Sequence, residues 1–178
     1  MEILFSFALL ALIFVIRVIG KKSRCIISRE ETNKIPAVIS GAAFIIDGDG
    51  LRVNGYNIRM AGLDAPEYDQ PAQDLNGKWF NQGKKVKSHL IQKIGGKTVE
   101  IQTHGRDKYG RVLGTVFCNG ENINKWLVLR GFATAAYGRQ YRAAEKWSQQ
   151  KRLGMWELNQ KYDPREWRQR VKSLNSIK

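Results

Sequence analysis

Asn54-Gly55 limits what this chain can fold into more than any other pair. It stands between two runs in which apolar and polar residues alternate, Leu51-Arg52-Val53 and Tyr56-Asn57-Ile58-Arg59-Met60. Alternation of period two marks strands with one buried face, and Asn-Gly is the pair that best tolerates the left-handed backbone of a two-residue turn. The segment reads as a β-hairpin. Upstream, Ala42-Ala43-Phe44-Ile45-Ile46 reads as a strand running into Asp47-Gly48-Asp49. Downstream, the meander feeds directly into Asp64-Ala65-Pro66-Glu67, where Pro66 stiffens the loop.

Further along, Trp79, Gly83, Val86, Leu90 and Ile94 recur at helical spacing and Gly95-Gly96 closes the run. Lys84, Lys85 and Lys87 form its solvated face. Thr98 to Gln102 and Arg111 to Phe117 predict the next pair of strands, joined by His104-Gly105-Arg106-Asp107-Lys108-Tyr109-Gly110. Helices follow around Ile123 to Arg130, before Gly131, and from Tyr141 to Lys151, before Gly154. Trp79, Trp126, Trp147 and Trp156 are expected in the core. Five short strands with about three helices between and after them give an α+β protein, a small, partly closed five-stranded barrel of OB type. Residues 38–158 are the expected domain. Residues 159–178 read as a basic tail, in which Asp163-Pro164 could cap a helix of weak apolar face.

With 178 residues the chain is long enough for one domain and tails. Its 30 Lys and Arg against 16 Asp and Glu give a net charge of +14, and residues 139–178 alone carry +7 (11 − 4). Such a balance favours a polyanionic partner, nucleic acid or anionic lipid. Ile3 to Ile16 is uncharged and apolar but for Ser6, and Arg17 can snorkel. No small-residue cleavage site follows, only Lys21-Lys22-Ser23-Arg24, so residues 1–22 read as an uncleaved membrane anchor ahead of a polar tether at 23–37. A cleaved signal, and thus secretion, is the alternative. The flanking positive charge argues for a cytosolic domain, whereas a degradative enzyme suits the outside, and the side of the membrane stays open. Cys25 and Cys118 show no disulfide pattern, Cys118 reading as a small buried residue, and His89 and His104 lack zinc-ligand spacing.

Against this basic background, Asp47, Asp49, Asp64 and Glu67 cluster around Arg59. Gathered acids repel one another, and a divalent cation is the simplest reason for them. Joined to a polyanionic partner, that makes a metal-assisted phosphodiesterase the leading idea. Singly, each piece is ordinary: Asp-Gly-Asp is a turn signature and Asp107-Lys108-Tyr109-Gly110-Arg111 a hairpin loop.

Together, Asp47-Gly48-Asp49, then Arg59 with Asp64-Ala65-Pro66-Glu67, then Asp107-Lys108-Tyr109-Gly110-Arg111-Val112-Leu113-Gly114-Thr115-Val116-Phe117, resemble the staphylococcal nuclease (thermonuclease) family across roughly residues 38 to 158. The resemblance implies an OB barrel with three helices and calcium-dependent cleavage of DNA and RNA. The substrate is expected single-stranded or locally opened, and, with no obligate protein partner evident in the sequence, a monomer is expected. By the same resemblance Asp49, Asp64 and the main-chain carbonyl of Ala65 are calcium ligands, and Asp47 is a supporting acid. Glu67 is the general base, Arg59 and Arg111 bind phosphate, and Tyr109, Tyr137 and Lys108 flank the substrate. Gly50 and Ala65 stand where the family commonly has Thr, and Arg139 where a further aromatic is expected. Two rival functions are carried: a non-catalytic OB module that binds single strands, and a membrane-surface protein docked by its basic tail.

Overall fold

The computed structural model describes residues 34–176. In chain order its strands are β1 (Val38–Ala42), β2 (Phe44–Ile45), β3 (Gly50–Val53), β4 (Tyr56–Met60), β5 (Leu63–Asp64), β6 (Pro71–Gln73), β7 (Trp79–Asn81), β8 (Thr98–Arg106), β9 (Val112–Cys118), β10 (Glu121–Asn122) and β11 (Thr134–Ala135). The helices are α1 (Gln82–Ile94), α2 (Ile123–Leu129), α3 (Arg142–Gln150) and α4 (Pro164–Asn175), with a 3-10 turn at Gly154–Glu157.

The main sheet runs β1-β8-β9-β4-β3-β2, antiparallel except for the parallel pair β4 and β9, and β10 extends β9. β1 and β2 lie at opposite ends of this path, yet only Ala43 separates them in the chain. The sheet must therefore curl. Ala43 is pinned at the corner by its N–H to Lys97 O and by Gly96 N–H to its carbonyl, both 2.9 Å. The run expected as one strand, Ala42 to Ile46, is this corner, because a continuous strand there would hold the sheet open.

The hairpin forms as its residues dictate. Asn54 and Gly55 both take positive φ, +46° and +79°, and Leu51, Val53, Ile58 and Met60 point into the core. Val99, Ile101, Val112 and Val116 fill it from the other strands, and α1 adds Val86, Leu90 and Ile94. Each such side chain contributes about 1.5–3 kcal/mol when fully buried. Asn124 of α2 is the polar pin: its Oδ1 accepts from Val116 N–H at 2.9 Å, and its amide donates to Ala61 O at 2.9 Å and to Gly114 O at 3.2 Å.

Several expectations change. Trp79 belongs to β7 and is 48% exposed, because the Asn81 side chain caps α1 only from Gln82 onward, accepting from Lys84 N–H at 2.7 Å. Trp147 on α3 is 46% exposed. β8 continues past Gln102 to Arg106. The tail carries a fourth helix, α4, with Pro164 in its first turn and the Asp163 carboxylate accepting from Arg165 and Glu166 N–H at 2.8 and 3.3 Å. The anchor expected at 1–22 lies outside the described residues. Among the described residues, no helix is long and apolar enough to cross a membrane.

Candidate active site

Strand alternation decides where Arg59 goes. Ile58 and Met60 are buried, so Arg59 leaves β4 on the opposite face, where the register sets it across from Gly50. That places it beside the Asp47-Gly48-Asp49 turn. Its guanidinium bridges two buried carboxylates, Nη1 donating to Asp49 Oδ1 and Nη2 to Asp64 Oδ1 at 2.8 Å. Asp64 sits in β5, held by pairing with β11 and by the Thr134 hydroxyl donating to its carbonyl at 3.2 Å. Ala65 N–H donates to Asp49 Oδ2 at 3.0 Å. Asp47 stands behind, its Oδ1 accepting from Asp49 N–H at 3.2 Å. A Cβ on Gly50 would lie 2.7 Å from that same Asp47 oxygen, so the glycine goes with this placement of Asp47.

Glu67 lies on the loop that Pro66 introduces, and Gln70 fastens it. Gln70 is fully buried; its Oε1 accepts from Glu67 N–H at 3.1 Å, its N–H donates to Glu67 O at 2.9 Å, and its amide donates to Tyr162 O at 2.8 Å. Arg111, just before β9, is clamped by Asp107: Nε donates to Asp107 Oδ2 at 2.8 Å, and Nη2 forms an ion pair with the same oxygen at 2.8 Å. The other Asp107 oxygen takes the Tyr109 and Arg111 amides at 2.9 and 3.0 Å, which fixes the loop. The Tyr109 ring carries Lys108 Nζ at 5.0 Å and the Arg111 guanidinium at 5.7 Å from its centre.

A cavity of about 360 Å³ collects Asp47, Asp49, Arg59, Ala65, Glu67, Lys108, Tyr109, Arg111 and Tyr137. Asp64 lies beside it, touching the cavity group through Arg59. Tyr109 and Tyr137, 72% and 76% exposed, form an aromatic rim. His104 bonds Thr115 Oγ1 at 2.8 Å and His89 stacks on Phe132 at 4.5 Å, both outside this group.

Sequence reasoning missed Arg168. Reaching in from α4, it donates through Nη1 to Glu67 Oε1 at 2.6 Å and Asp64 Oδ1 at 3.1 Å, and through Nη2 to Asp64 Oδ2 at 2.6 Å. It lines the same cavity. One arginine among the six cations of residues 159–178 carries no distinguishing spacing; the only available signal was the Asp163-Pro164 helix start.

The electrostatics follow from burial and pairing. Burial pushes the Asp49 carboxyl up to about 7, against the pull of Arg59; Asp47 and Asp64 add to the rise and the Ala65 amide opposes it. For Arg59, burial works against the charge, but Asp49 and Asp64 outweigh it and raise the guanidinium above its ordinary value. Hydrogen bonding to Asp64 raises Arg168 likewise, burial opposing and Glu67 assisting.

Fold and side chains define a small, OB-like barrel with two buried acids, a loop glutamate and convergent arginines on one flank. The chain belongs to the family described as staphylococcal nuclease homologue, whose model matches residues 57–158. Arg59, Asp64, Glu67 and Arg111 fall within that match, and Asp47 and Asp49 precede it. It is 30% identical over 125 residues to staphylococcal-like nuclease CAN1 of Arabidopsis thaliana, covering 67% of this chain and 35% of the relative. An uncharacterized endonuclease of Haemophilus influenzae is 31% identical over 137 residues, 72% of this chain and 71% of its own. The thermonuclease of Staphylococcus hyicus is 30% identical over 137 residues, 72% of this chain and 78% of its own. The chain spans about a third of the length of the plant relatives.

Proposed function

We propose that this chain is a nuclease, a calcium-dependent hydrolase that cuts DNA and RNA strands with little regard for sequence. The observation that carries this reading is the single cavity lined by Asp49, Arg59, Glu67 and Arg111. The donors suit a hard cation, being oxygen throughout, and the two buried acids already draw a positive group between them. Among the described residues no three His, Cys, Asp or Glu side chains group as a metal site, so main-chain oxygen and water must complete the set. Asp49, Asp64 and the carbonyl of Ala65 would hold calcium, with Asp47 in support. When bound, the ion supplies positive charge that polarises a phosphoryl oxygen.

The chain's own residues do the rest. Guanidinium forks on Arg59 and Arg111 bind two phosphate oxygens at once, and their contacts strengthen as charge accumulates on the pentacoordinate phosphorus. Glu67 takes the proton from the attacking water as the new P–O bond forms. The bond from phosphorus to the 5′-oxygen then breaks, leaving a 3′-phosphate, and the departing oxygen takes a proton from water to become a 5′-hydroxyl. Tyr109 and Tyr137 offer stacking surfaces and Lys108 a phosphate contact, none of which reads base identity. The apolar run Ile3 to Ile16 would tether this activity to a membrane.

Cleavage of end-labelled single- and double-stranded DNA and of RNA, with calcium or with a chelator, tests the proposal. Calcium-dependent cutting of all three is expected. Binding without cutting under every divalent cation tried would replace the enzyme with a nucleic-acid-binding module.

A further inference from the structure

Asp64 is crowded. A carboxylate offers about four lone-pair positions, and three of them are taken by Arg59 Nη2, Arg168 Nη1 and Arg168 Nη2. Arg168 also holds Glu67 Oε1 at 2.6 Å, so one guanidinium spans an expected metal ligand and the expected base. Any further cation at Asp64 meets two positive groups already hydrogen-bonded to it.

The two arginines differ in how they are held. The Arg59 side chain is 16% exposed and rises from the middle of the sheet, bonded on both sides to buried acids. The Arg168 side chain is 35% exposed, and it rises from a peripheral helix whose only buried residue is Pro164. α4 has its own attachments beside the site: the Trp167 indole reaches Asp69 at 3.5 Å, Tyr162 packs against Trp167 at 5.3 Å, and Gln70 donates to Tyr162 O. Arg168 can let go of Asp64 without the helix leaving. Arg59 cannot let go without leaving the buried Asp49 carboxylate with no charged partner.

We propose that Arg168 is an internal counter-cation that sets the metal affinity of this site, occupying Asp64 and Glu67 in the free protein and competing with a divalent cation for Asp64. The inference rests on the calcium reading of Asp49 and Asp64. It makes α4 a working part of the site, because the last turns of the chain govern how much calcium the acids need.

Calorimetric titration of calcium alone into the full chain tests it, comparing wild type with Arg168→Ala. Removing a charged hydrogen-bond partner should tighten calcium binding about tenfold to hundredfold. Lys172→Ala on the same helix removes one positive charge away from Asp64 and should leave the affinity within about twofold, since an exposed charge is screened over roughly 8–10 Å of salt solution. Arg168→Lys keeps a charge but loses the fork, and should fall between wild type and alanine. Circular dichroism on each variant confirms that α4 persists. Equal affinity in wild type and Arg168→Ala, or an equal gain in Lys172→Ala, overturns the competition while the calcium reading stands. No calcium heat in any chain overturns the calcium reading and this inference with it.

Discussion

Gly83 and Glu67 touch: a Cβ built on Gly83 would sit 1.8 Å from the Glu67 carbonyl oxygen. The first turn of α1 thus packs directly beneath the loop that carries the expected base. Alanine is favoured over glycine in helices by about 1 kcal/mol, while overpacking costs about 1–3 kcal/mol. Here the obstacle is backbone, which cannot rotate aside, so overpacking wins. Gly83→Ala should lower stability by about 1–2 kcal/mol in denaturant unfolding and cut nuclease activity by displacing Glu67. Equal or greater stability would show that the loop yields freely.

Asn124 ties β9 to the segment leading from Arg59 toward Asp64. Its replacement by leucine leaves the Val116 amide and the Ala61 carbonyl without their partner, each at about 1–3 kcal/mol. Asn124→Leu should cost about 2–4 kcal/mol, measured as a lower urea midpoint with an unchanged slope.

Asp107 offers a pH handle away from the buried acids. Burial alone would push its carboxyl up, but the Arg111 side chain and the amides of Tyr109 and Arg111 outweigh it and hold the carboxyl below the usual value. A carboxylate depressed on folding contributes stability that is present above its unfolded pKa and lost as pH falls through the folded value. The loop should therefore stay ordered at pH 4 and loosen only in stronger acid. Carboxyl carbon NMR should show Asp107 titrating below the ordinary aspartate midpoint of about 3.9, and a midpoint at or above it would contradict the clamp.

Much of this was legible because local rules and the fold agree. Asn54-Gly55 and its flanking alternation named the hairpin, and alternation alone set Arg59 on the face opposite Ile58 and Met60. The acids, both arginines and the two rim tyrosines reach one region because their motifs sit at strand ends that the curled sheet gathers. What stayed hidden depends on distance in the chain. The corner at Ala43 is apolar on both sides and reads as a continuous strand, yet the edges it must join are defined by β8 and β9, far away. Trp79 matches helical spacing, but Asn81 starts the helix later. Arg168 meets Asp64 across 104 positions, and no local pattern distinguishes it from Arg165 or Arg170.

Arg59→Lys keeps the charge and loses the fork, so one of its two carboxylates is left without its partner. Lysine is the cleaner test than alanine, which would leave the buried Asp49 without a charged partner at a cost of about 3–5 kcal/mol, Asp64 keeping Arg168. Cleavage should fall roughly hundredfold, as for loss of one group that stabilises transition-state charge. A rate within about twofold of wild type would remove Arg59 from the reaction.

In the proposed reaction Glu67 takes the proton during phosphodiester cleavage while other groups hold the strand. Single-turnover cleavage of labelled single-stranded DNA by wild type and Glu67→Gln, with binding measured by fluorescence anisotropy on the same strand, tests it. Glutamine keeps the size and loses the base, so the cleavage rate should fall by about 10²-fold or more with affinity changed by no more than about threefold. Glu67→Gln cutting at the wild-type rate, with binding intact, would contradict the account.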